Sequence, residues 1–177
     1  MPSLSAGLLV YRVAVSGAVD VLIVHPGGPF WSKKDEGAWS VPKGEYEEGV
    51  DPLATAEREF AEEIGQGAPQ GERIELGQIR QPSGKRVTVW AVEGDLDVAG
   101  ATSNTFEMEW PRGSGTMREF PEVDRVEWVT AGEARVKLLK GQVPFIDRLT
   151  EALGAHSWPG SEPARDPSLL PGRSTPR

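Results

Sequence analysis

The chain has 177 residues, enough for one domain, with a formal net charge of −8 and a sequence pI of about 4.9. An acidic surface of this kind disfavours nonspecific binding to nucleic acid and to anionic membranes. Cysteine is absent, which excludes disulfides and thiolate chemistry and suits a reducing cytoplasm. No apolar run is long enough to span a bilayer, and the N-terminus lacks the basic segment of a signal peptide, so we expect a cytoplasmic protein.

The N-terminal region predicts a β-hairpin followed by a loop. Residues 6–15 and 19–25 are apolar segments, and Ser16-Gly17 supplies the turn between them. In the loop that follows, over residues 26–37, Phe30 and Trp31 precede two lysines, Lys33 and Lys34. Two interpretations stay open here: the aromatic rings stack a base while the lysines hold a phosphate, or the rings only fasten the loop to the core.

A short strand is predicted over residues 38–41, and a helix from Pro52 to Ile64. Asp51 is a good N-cap, Pro52 suits the first helical position, and Gly65 is a natural stop signal. Apolar residues recur at helical spacing and form one stripe: Leu53, Ala56, Phe60 and Ile64. This part of the pattern is typical of an ordinary amphipathic helix.

The charges on that helix are less ordinary. Glu62 and Glu63 follow Glu59 by three and four residues, so these three carboxylates share one face. Like charges at such spacings cost roughly 0.2–0.5 kcal/mol per pair, and anions near a helix C-terminus oppose the macrodipole. A solvated acidic face is the plain explanation. A site for Mg²⁺, or for Mn²⁺ in its place, is the functional one, because these ions prefer oxygen ligands.

The loop before the helix favours the functional interpretation. Together the two segments resemble the Nudix hydrolase family, whose box reads G-x5-E-x7-R-E-U-x-E-E-x-G-U, with U a bulky apolar residue. The matching residues are Gly44, Arg58, Glu59, Phe60, Glu62, Glu63 and Gly65. Two positions depart from the pattern: Val50 replaces a glutamate, and Gln66 replaces the final apolar residue.

The resemblance implies an α/β fold, namely an α/β/α sandwich with a mixed, partly curled sheet. It implies that Glu59, Glu62 and Glu63 bind the metal, with Glu59 as an alternative general base. The Lys43 carbonyl would add a ligand, and Gly44 would let the backbone approach the metal. Arg58 and Gly65 would be structural. Glu48 or Asp51 could substitute for the glutamate missing at position 50.

Strands are predicted next over residues 73–81 and 86–93, joined by a turn at 82–85. Trp90 on the second strand is assigned to the core rather than to base stacking. Residues 104–121 are interpreted as a loop with a short strand at 106–110, on which Glu107 and Glu109 would share a face. Arg112 and Arg118 flank a Gly-Ser-Gly turn and are candidate phosphate contacts, although most surface arginines bind no ligand.

A carboxylate from outside the box is expected to complete the site. Nudix relatives often supply it from a loop six residues before a tryptophan. Glu122 stands six residues before Trp128, ahead of a strand predicted over residues 123–129. It is our candidate for a metal ligand and general base, and Glu107 and Glu109 are its rivals. The plain alternative is that Glu122 is an exposed loop acid.

Helices are predicted over residues 132–139 and 143–153. We therefore expect a Nudix hydrolase domain over residues 1–154. The segment 155–177 is rich in Pro, Ser, Gly and Arg and lacks periodicity, so we expect a flexible tail.

The expected function is Mg²⁺-dependent cleavage of the pyrophosphate linkage in a nucleoside diphosphate derivative, such as a dinucleoside polyphosphate or a modified nucleotide. The entry segment Trp39-Ser40-Val41-Pro42-Lys43-Gly44 loosely resembles that of diadenosine polyphosphate hydrolases. Lys33, Lys34, Lys43, Arg112 and Arg118 are the candidate substrate contacts. The partner would be a small nucleotide-type molecule, with no membrane, and the acidic surface argues against nucleic acid. The alternatives are a module that binds nucleotides without cleaving them and a purely structural domain.

Overall fold

The structure is a computed structural model, and it describes residues 2–155. The strands are β1 (Leu4–Val13), β2 (Val19–Pro26), β3 (Lys43–Tyr46), β4 (Ile74–Arg80), β5 (Arg86–Glu93), β6 (Thr105–Glu109), β7 (Met117–Pro121) and β8 (Val123–Thr130). The helices are α1 (Pro52–Ile64), α2 (Ala131–Lys137), a short 3-10 helix (Lys140–Gln142) and α3 (Val143–Ala155). Almost all of the predicted tail, from residue 156 onward, lies outside the described residues.

The main sheet is mixed, as the resemblance implied. Its strands follow the order β4-β5-β1-β2-β8, and β3 is attached to β1. Strands β1 and β5 run parallel, and the other neighbouring pairs run antiparallel. The sheet is open rather than closed into a barrel.

Strand β1 places β3 beside the box helix because it changes partner along its length. Its first half pairs with β3, from Leu4 opposite Tyr46 to Gly7 opposite Lys43. Its last residues pair with β2 on the same edge, starting at Tyr11. The sheet therefore divides at this edge, and β3 diverges from β2 with Lys43 and Gly44 at its beginning.

Helices cover both faces of this sheet. On one face α1 buries Ala56, Phe60 and Ile64 against alternate residues of β1 and β2. On the other face α3 buries Phe145, Ile146 and Leu149 against the intervening residues. Successive strand residues point to opposite faces, so a fully buried strand such as β1 supplies both cores. This confirms the predicted α/β/α sandwich.

Two predicted elements differ from the structure. The strand expected at 38–41 is reduced to isolated bridges at Trp39 and Ser40, and the continuous strand begins only at Lys43. Pro42 has no N–H to donate to a ladder, so pairing stops there, although its carbonyl still accepts from the Leu8 N–H at 3.1 Å.

The segment 104–121, interpreted as a loop with one short strand, forms the two-stranded hairpin β6–β7 instead. Its second strand, Met117–Pro121, is mostly exposed and shows no apolar alternation, so only pairing with β6 defines it. Elsewhere the predicted strands and helices occur with ends shifted by a few residues. Within residues 2–155, no helix has the length and apolar character needed to cross a membrane.

Candidate metal site on the box helix

Helix α1 begins and ends as its sequence predicts. The Asp51 side chain accepts a hydrogen bond from the Leu53 N–H at 3.1 Å, and Pro52 follows at the first helical position. Gly65 ends the helix with a φ of 80°, a conformation that favours glycine. Because Asp51 is used as the cap, its carboxylate acts at the opposite end of the helix from Glu62 and Glu63. Val50, at the position of the missing box glutamate, is exposed.

The box glycine lies directly against a box glutamate. A Cβ added to Gly44 would overlap the side chain of Glu59, so only glycine allows this approach. The Lys43 N–H, one residue earlier, donates to the Glu63 carboxylate at 3.3 Å. Strand β3 and helix α1 therefore meet at these two residue pairs, which bring the Lys43-Gly44 backbone onto the carboxylate face.

Burial and neighbouring negative charges both raise the pKa of Glu63. Burial raises the pKa of its carboxyl to about 8, and the charges of Glu59 and Glu122 act in the same direction, against the charge and backbone N–H of Lys43. Burial likewise lowers the pKa of Lys43, and Lys85 adds to that effect. Desolvation thus favours the neutral form of both partners, as expected where two charges share a poorly hydrated site.

Arg58 partly offsets the acidic face from the solvent side. Its guanidinium donates to Glu59 at 3.1 Å and lies 3.8 Å from Glu62. Its side chain is 57% exposed, so these pairs are screened and contribute little to stability. The structural role expected for Arg58 is consistent with this position.

The backbone of Glu122 is connected to helix α1 by hydrogen bonds through Asn104. The Asn104 N–H donates to the Glu62 carbonyl at 3.2 Å, and the Glu122 N–H donates to the Asn104 carbonyl at 2.8 Å. The Gly27 N–H in turn donates to the Glu122 carbonyl at 2.9 Å. Although the Glu122 side chain is exposed, partial burial and the charges of Glu59 and Glu62 raise the pKa of its carboxyl.

The two rival carboxylates, Glu107 and Glu109, lie on the β6–β7 hairpin and have different contacts from those of Glu122. Glu109 accepts from the Gly115 N–H at 2.7 Å and so holds the turn at the tip of the hairpin. Glu107 is exposed and faces Glu119 across the hairpin. The charge of Glu122 acts on the box carboxyl of Glu63, whereas the Glu109 carboxylate is engaged in a turn and Glu107 is exposed.

The carboxylates are not arranged as a complete set of metal ligands in this structure. Among residues 2–155, no group of three or more His, Cys, Asp or Glu side chains is arranged to hold a metal ion as it stands. Mutual repulsion keeps uncompensated carboxylates apart, and Arg58 draws two of them to its own side. The donor set nevertheless suits a hard divalent cation, because it consists of carboxylate and carbonyl oxygens.

Four of the five predicted cationic contacts lie on two segments, and the fifth, Lys43, begins β3. Lys33 and Lys34 lie in the exposed loop after β2, and Arg112 and Arg118 lie on the β6–β7 hairpin. The Lys34 ammonium lies 4.9 Å from the Trp31 ring centroid, and Trp31 packs partly buried against the core. Trp90 is also partly buried against the core, as assigned from the sequence.

Sequence reasoning missed the anchor of this loop. The His25 ring is fully buried, with Nδ1 2.6 Å from the Asp124 carboxylate and Nε2 2.6 Å from the Lys34 carbonyl. It also missed Asn104, whose backbone joins α1 to Glu122. Neither residue carries a local signal, because their partners are distant in the sequence.

A family model described as NUDIX domain matches residues 2–153. The chain belongs to the NUDIX family. A comparison with curated proteins found no matching relative. Family membership supports pyrophosphohydrolase activity, and hydrolases of this family generally use divalent metal ions.

Solved structures share the NUDIX fold at low sequence identity. An Ap4A hydrolase binary complex from C. elegans has a TM-score of 0.58 at 18% identity, covering 85% of this chain and 98% of that one. The NUDIX domain of Shewanella oneidensis NrtR complexed with ADP ribose has a TM-score of 0.57 at 16% identity, covering 86% and 89%. A MutT protein from Methanosarcina mazei Go1 has a TM-score of 0.55 at 17% identity, covering 86% and 96%.

Proposed function

We propose that this NUDIX domain, over residues 1–154, hydrolyses the pyrophosphate linkage of a nucleoside diphosphate derivative with the help of Mg²⁺, or of Mn²⁺ in its place. One observation carries the proposal: Glu59 and Glu63 lie against the Lys43-Gly44 backbone, and the negative charges of Glu59 and Glu122 repel that of Glu63. Such repulsion opposes folding unless a cation offsets it.

The residues divide the work as follows. Glu59, Glu62 and Glu63 would hold the metal from the helix, with the Lys43 carbonyl and Glu122 as ligands from outside it. Bound divalent cations neutralise the phosphate oxygens and lower the pKa of a bound water. Glu122 or Glu59 would take the proton from the attacking water. Glu122 lies in a loop outside α1, and partial burial with the charges of Glu59 and Glu62 raises the pKa of its carboxyl, which makes it a stronger base than an ordinary glutamate.

The substrate would be a dinucleoside polyphosphate or a modified nucleotide. The relatives whose folds are similar include an Ap4A hydrolase and a domain that binds ADP ribose, which supports a nucleotide-derived ligand. Lys33, Lys34, Lys43, Arg112 and Arg118 supply positive charge for a phosphate chain on a protein that is acidic overall.

The test is release of phosphate-containing products from diadenosine tetraphosphate, ADP-ribose and an oxidised nucleoside triphosphate, with Mg²⁺ and with EDTA. We expect metal-dependent turnover of at least one of them, and a fall of orders of magnitude in Glu62→Gln and Glu63→Gln. Binding of these nucleotides without cleavage of any would instead identify a nucleotide-binding module.

A further inference from the structure

The β6–β7 hairpin separates its side chains by chemistry. Paired residues of an antiparallel hairpin point to the same face. Phe106 pairs with Phe120, and Met108 pairs with Arg118, so one face is aromatic and cationic. The other face carries the acids, because Glu107 pairs with Glu119 and Glu109 follows two residues later. Phe106, Met108 and Phe120 are partly buried, whereas the acids are exposed.

The aromatic face contacts the loop after β2. Phe106 lies close to Gly28, where an added Cβ would be 3.0 Å from the Phe106 ring. At the tip of the hairpin, Trp110 and Phe30 form an edge-to-face pair with ring centroids 5.5 Å apart. The Arg112 guanidinium lies over the Phe30 ring, 4.9 Å from its centroid. We call Phe30, Trp110 and Arg112 the tip cluster.

Phe30 is much less buried than the aromatic residue that follows it. Its neighbour Trp31 packs against the core, whereas Phe30 is 44% exposed. The two interpretations left open by the sequence therefore divide between the two residues: Trp31 fastens the loop, and Phe30 remains accessible. The Phe30 face already accepts a flat group, the Arg112 guanidinium, and another planar group could take its place.

The tip cluster is connected to the carboxylates by short stretches of chain. The Gly27 N–H donates to the Glu122 carbonyl at 2.9 Å, and Phe30 follows Gly27 by three residues, which span at most about 10 Å. Lys33 and Lys34 continue the same loop. A ligand with a ring at Phe30 and a phosphate chain toward Glu122 would lie beside a loop and a hairpin face that both carry cations.

We propose that the tip cluster is a nucleobase-binding site, in which a base stacks on Phe30 beside Trp110 while its phosphates extend toward Glu122 and the box helix. This inference rests on the proposed function, because it assigns the base end of the same nucleotide substrate. The base displaces Arg112 from the Phe30 ring, since an exposed cation–π contact is weaker than stacking of a base on an aromatic side chain.

The experiment measures binding rather than turnover. Isothermal titration in Mg²⁺ compares α,β-methylene-ADP with methylenediphosphonate, which has the same phosphorus chain without a nucleoside. Wild type should bind the nucleotide at least about tenfold more tightly than the diphosphonate. Phe30→Ala and Trp110→Ala should each lose most of that preference without weakening binding of the diphosphonate.

Two control variants distinguish loss of base stacking from a general effect of removing a surface side chain. Phe30→Tyr keeps an aromatic face and should retain the preference for the nucleotide. Val15→Ala removes another exposed apolar side chain, in the β1–β2 turn, and should change nothing. Because Phe30 is on the surface, its two variants decide the matter even if Trp110→Ala melts at a lower temperature.

Equal losses for both probes in Phe30→Ala would overturn the inference, because the ring would then only shape the phosphate site. Unchanged affinity for the nucleotide would overturn it as well. Hydrolysis by Phe30→Ala with an unchanged KM would reject the base site and leave the proposed function standing. Base-dependent binding without hydrolysis of any nucleotide would support the base site and reject the proposed hydrolase function.

Discussion

Glu63 is the residue at which burial and charge conflict most strongly. Its carboxylate is partly buried, accepts from the Lys43 N–H and interacts with the charges of Glu59 and Glu122. A group in this environment lowers stability when ionised unless a cation compensates it. The conflict lies in the folded state alone, because the unfolded chain would hydrate the same carboxylate fully.

The metal-free protein should therefore become less stable as pH rises from about 4.5 to about 8. The unfolded chain loses the Glu63 proton near the ordinary value of 4.5, while the folded protein keeps it until about pH 8. Over that window the unfolded state binds fewer protons, so stability falls with rising pH. Melting temperatures in EDTA at several pH values test this. Glu63→Gln should show a shallower slope, and an identical slope in the variant would reject the raised pKa.

Gly44→Ala should impair the site through sterics alone. Its Cβ would overlap the end of the Glu59 side chain, which would have to move aside, so we expect a large drop in kcat with only a small change in stability. Gly67→Ala is the matched control, because an added Cβ there meets no atom within 4 Å. Denaturant unfolding and steady-state kinetics would measure both. Equal behaviour of the two variants would show that the close approach at Gly44 is not needed.

At the scale of elements, α1 is stabilised by packing rather than by its own charges. Burial of Phe60 and Ile64 contributes about 1.5–3 kcal/mol each, whereas each like-charge pair on the opposite side costs roughly 0.2–0.5 kcal/mol. The apolar stripe therefore outweighs the repulsion several-fold. The helix can hold an unfavourable carboxylate face in place until a cation binds.

Metal binding should be visible as added stability of this element. Binding to the folded state alone stabilises by about 2.7 kcal/mol at a hundredfold excess over Kd. Excess Mg²⁺ or Mn²⁺ should raise the melting temperature relative to EDTA, and the double variant Glu62→Gln/Glu63→Gln should lose that difference. Identical wild-type melting curves under both conditions would argue strongly against a metal site on α1.

Variants of Glu122 and of the two hairpin acids should show which carboxylate outside α1 takes part in catalysis. We expect Glu122→Gln to lower kcat by about 100-fold or more at saturating Mg²⁺ with an unchanged melting temperature, as for loss of a general base. Glu107→Gln, on the exposed hairpin face, should keep full activity. Glu109→Gln should weaken only the turn that Gly115 closes. Full activity of Glu122→Gln, with a large loss in Glu107→Gln or Glu109→Gln, would move the assignment to β6.

At the scale of the whole molecule, the site depends on contacts between distant segments. The sheet divides along β1, which brings Lys43 to α1, and the Asn104 backbone joins Glu62 to Glu122. Both arrangements lie within the part matched by the NUDIX domain, residues 2–153. The catalytic unit should therefore be complete without the C-terminal segment.

Truncation after residue 155 tests this independence. The removed segment is rich in Pro, Ser and Arg and has little apolar surface to bury. We expect the melting temperature and kcat to change little. A large loss of either would show that Trp158 or the Leu169-Leu170 pair packs on the domain.

The sequence alone determined the features that depend on neighbours along the chain. Asp51, Pro52 and Gly65 define the ends of α1 because capping and backbone conformation are local. The spacing of Glu59, Glu62 and Glu63 determines their common face by helix geometry. The alternation of strands with helices likewise predicted the layered α/β fold.

Tertiary structure decided what depends on residues far apart. Only folding shows that the charge of Glu122 acts on Glu63 while Glu109 serves a turn, since each is an acid beside an aromatic stretch in the sequence. Only pairing makes Met117–Pro121 a strand and separates the hairpin's acids from its aromatic residues. The raised pKa of Glu63 also depends on tertiary structure, because burial and nearby charges come from residues that the fold brings around it. In the sequence, Glu63 cannot be distinguished from Glu62 beside it.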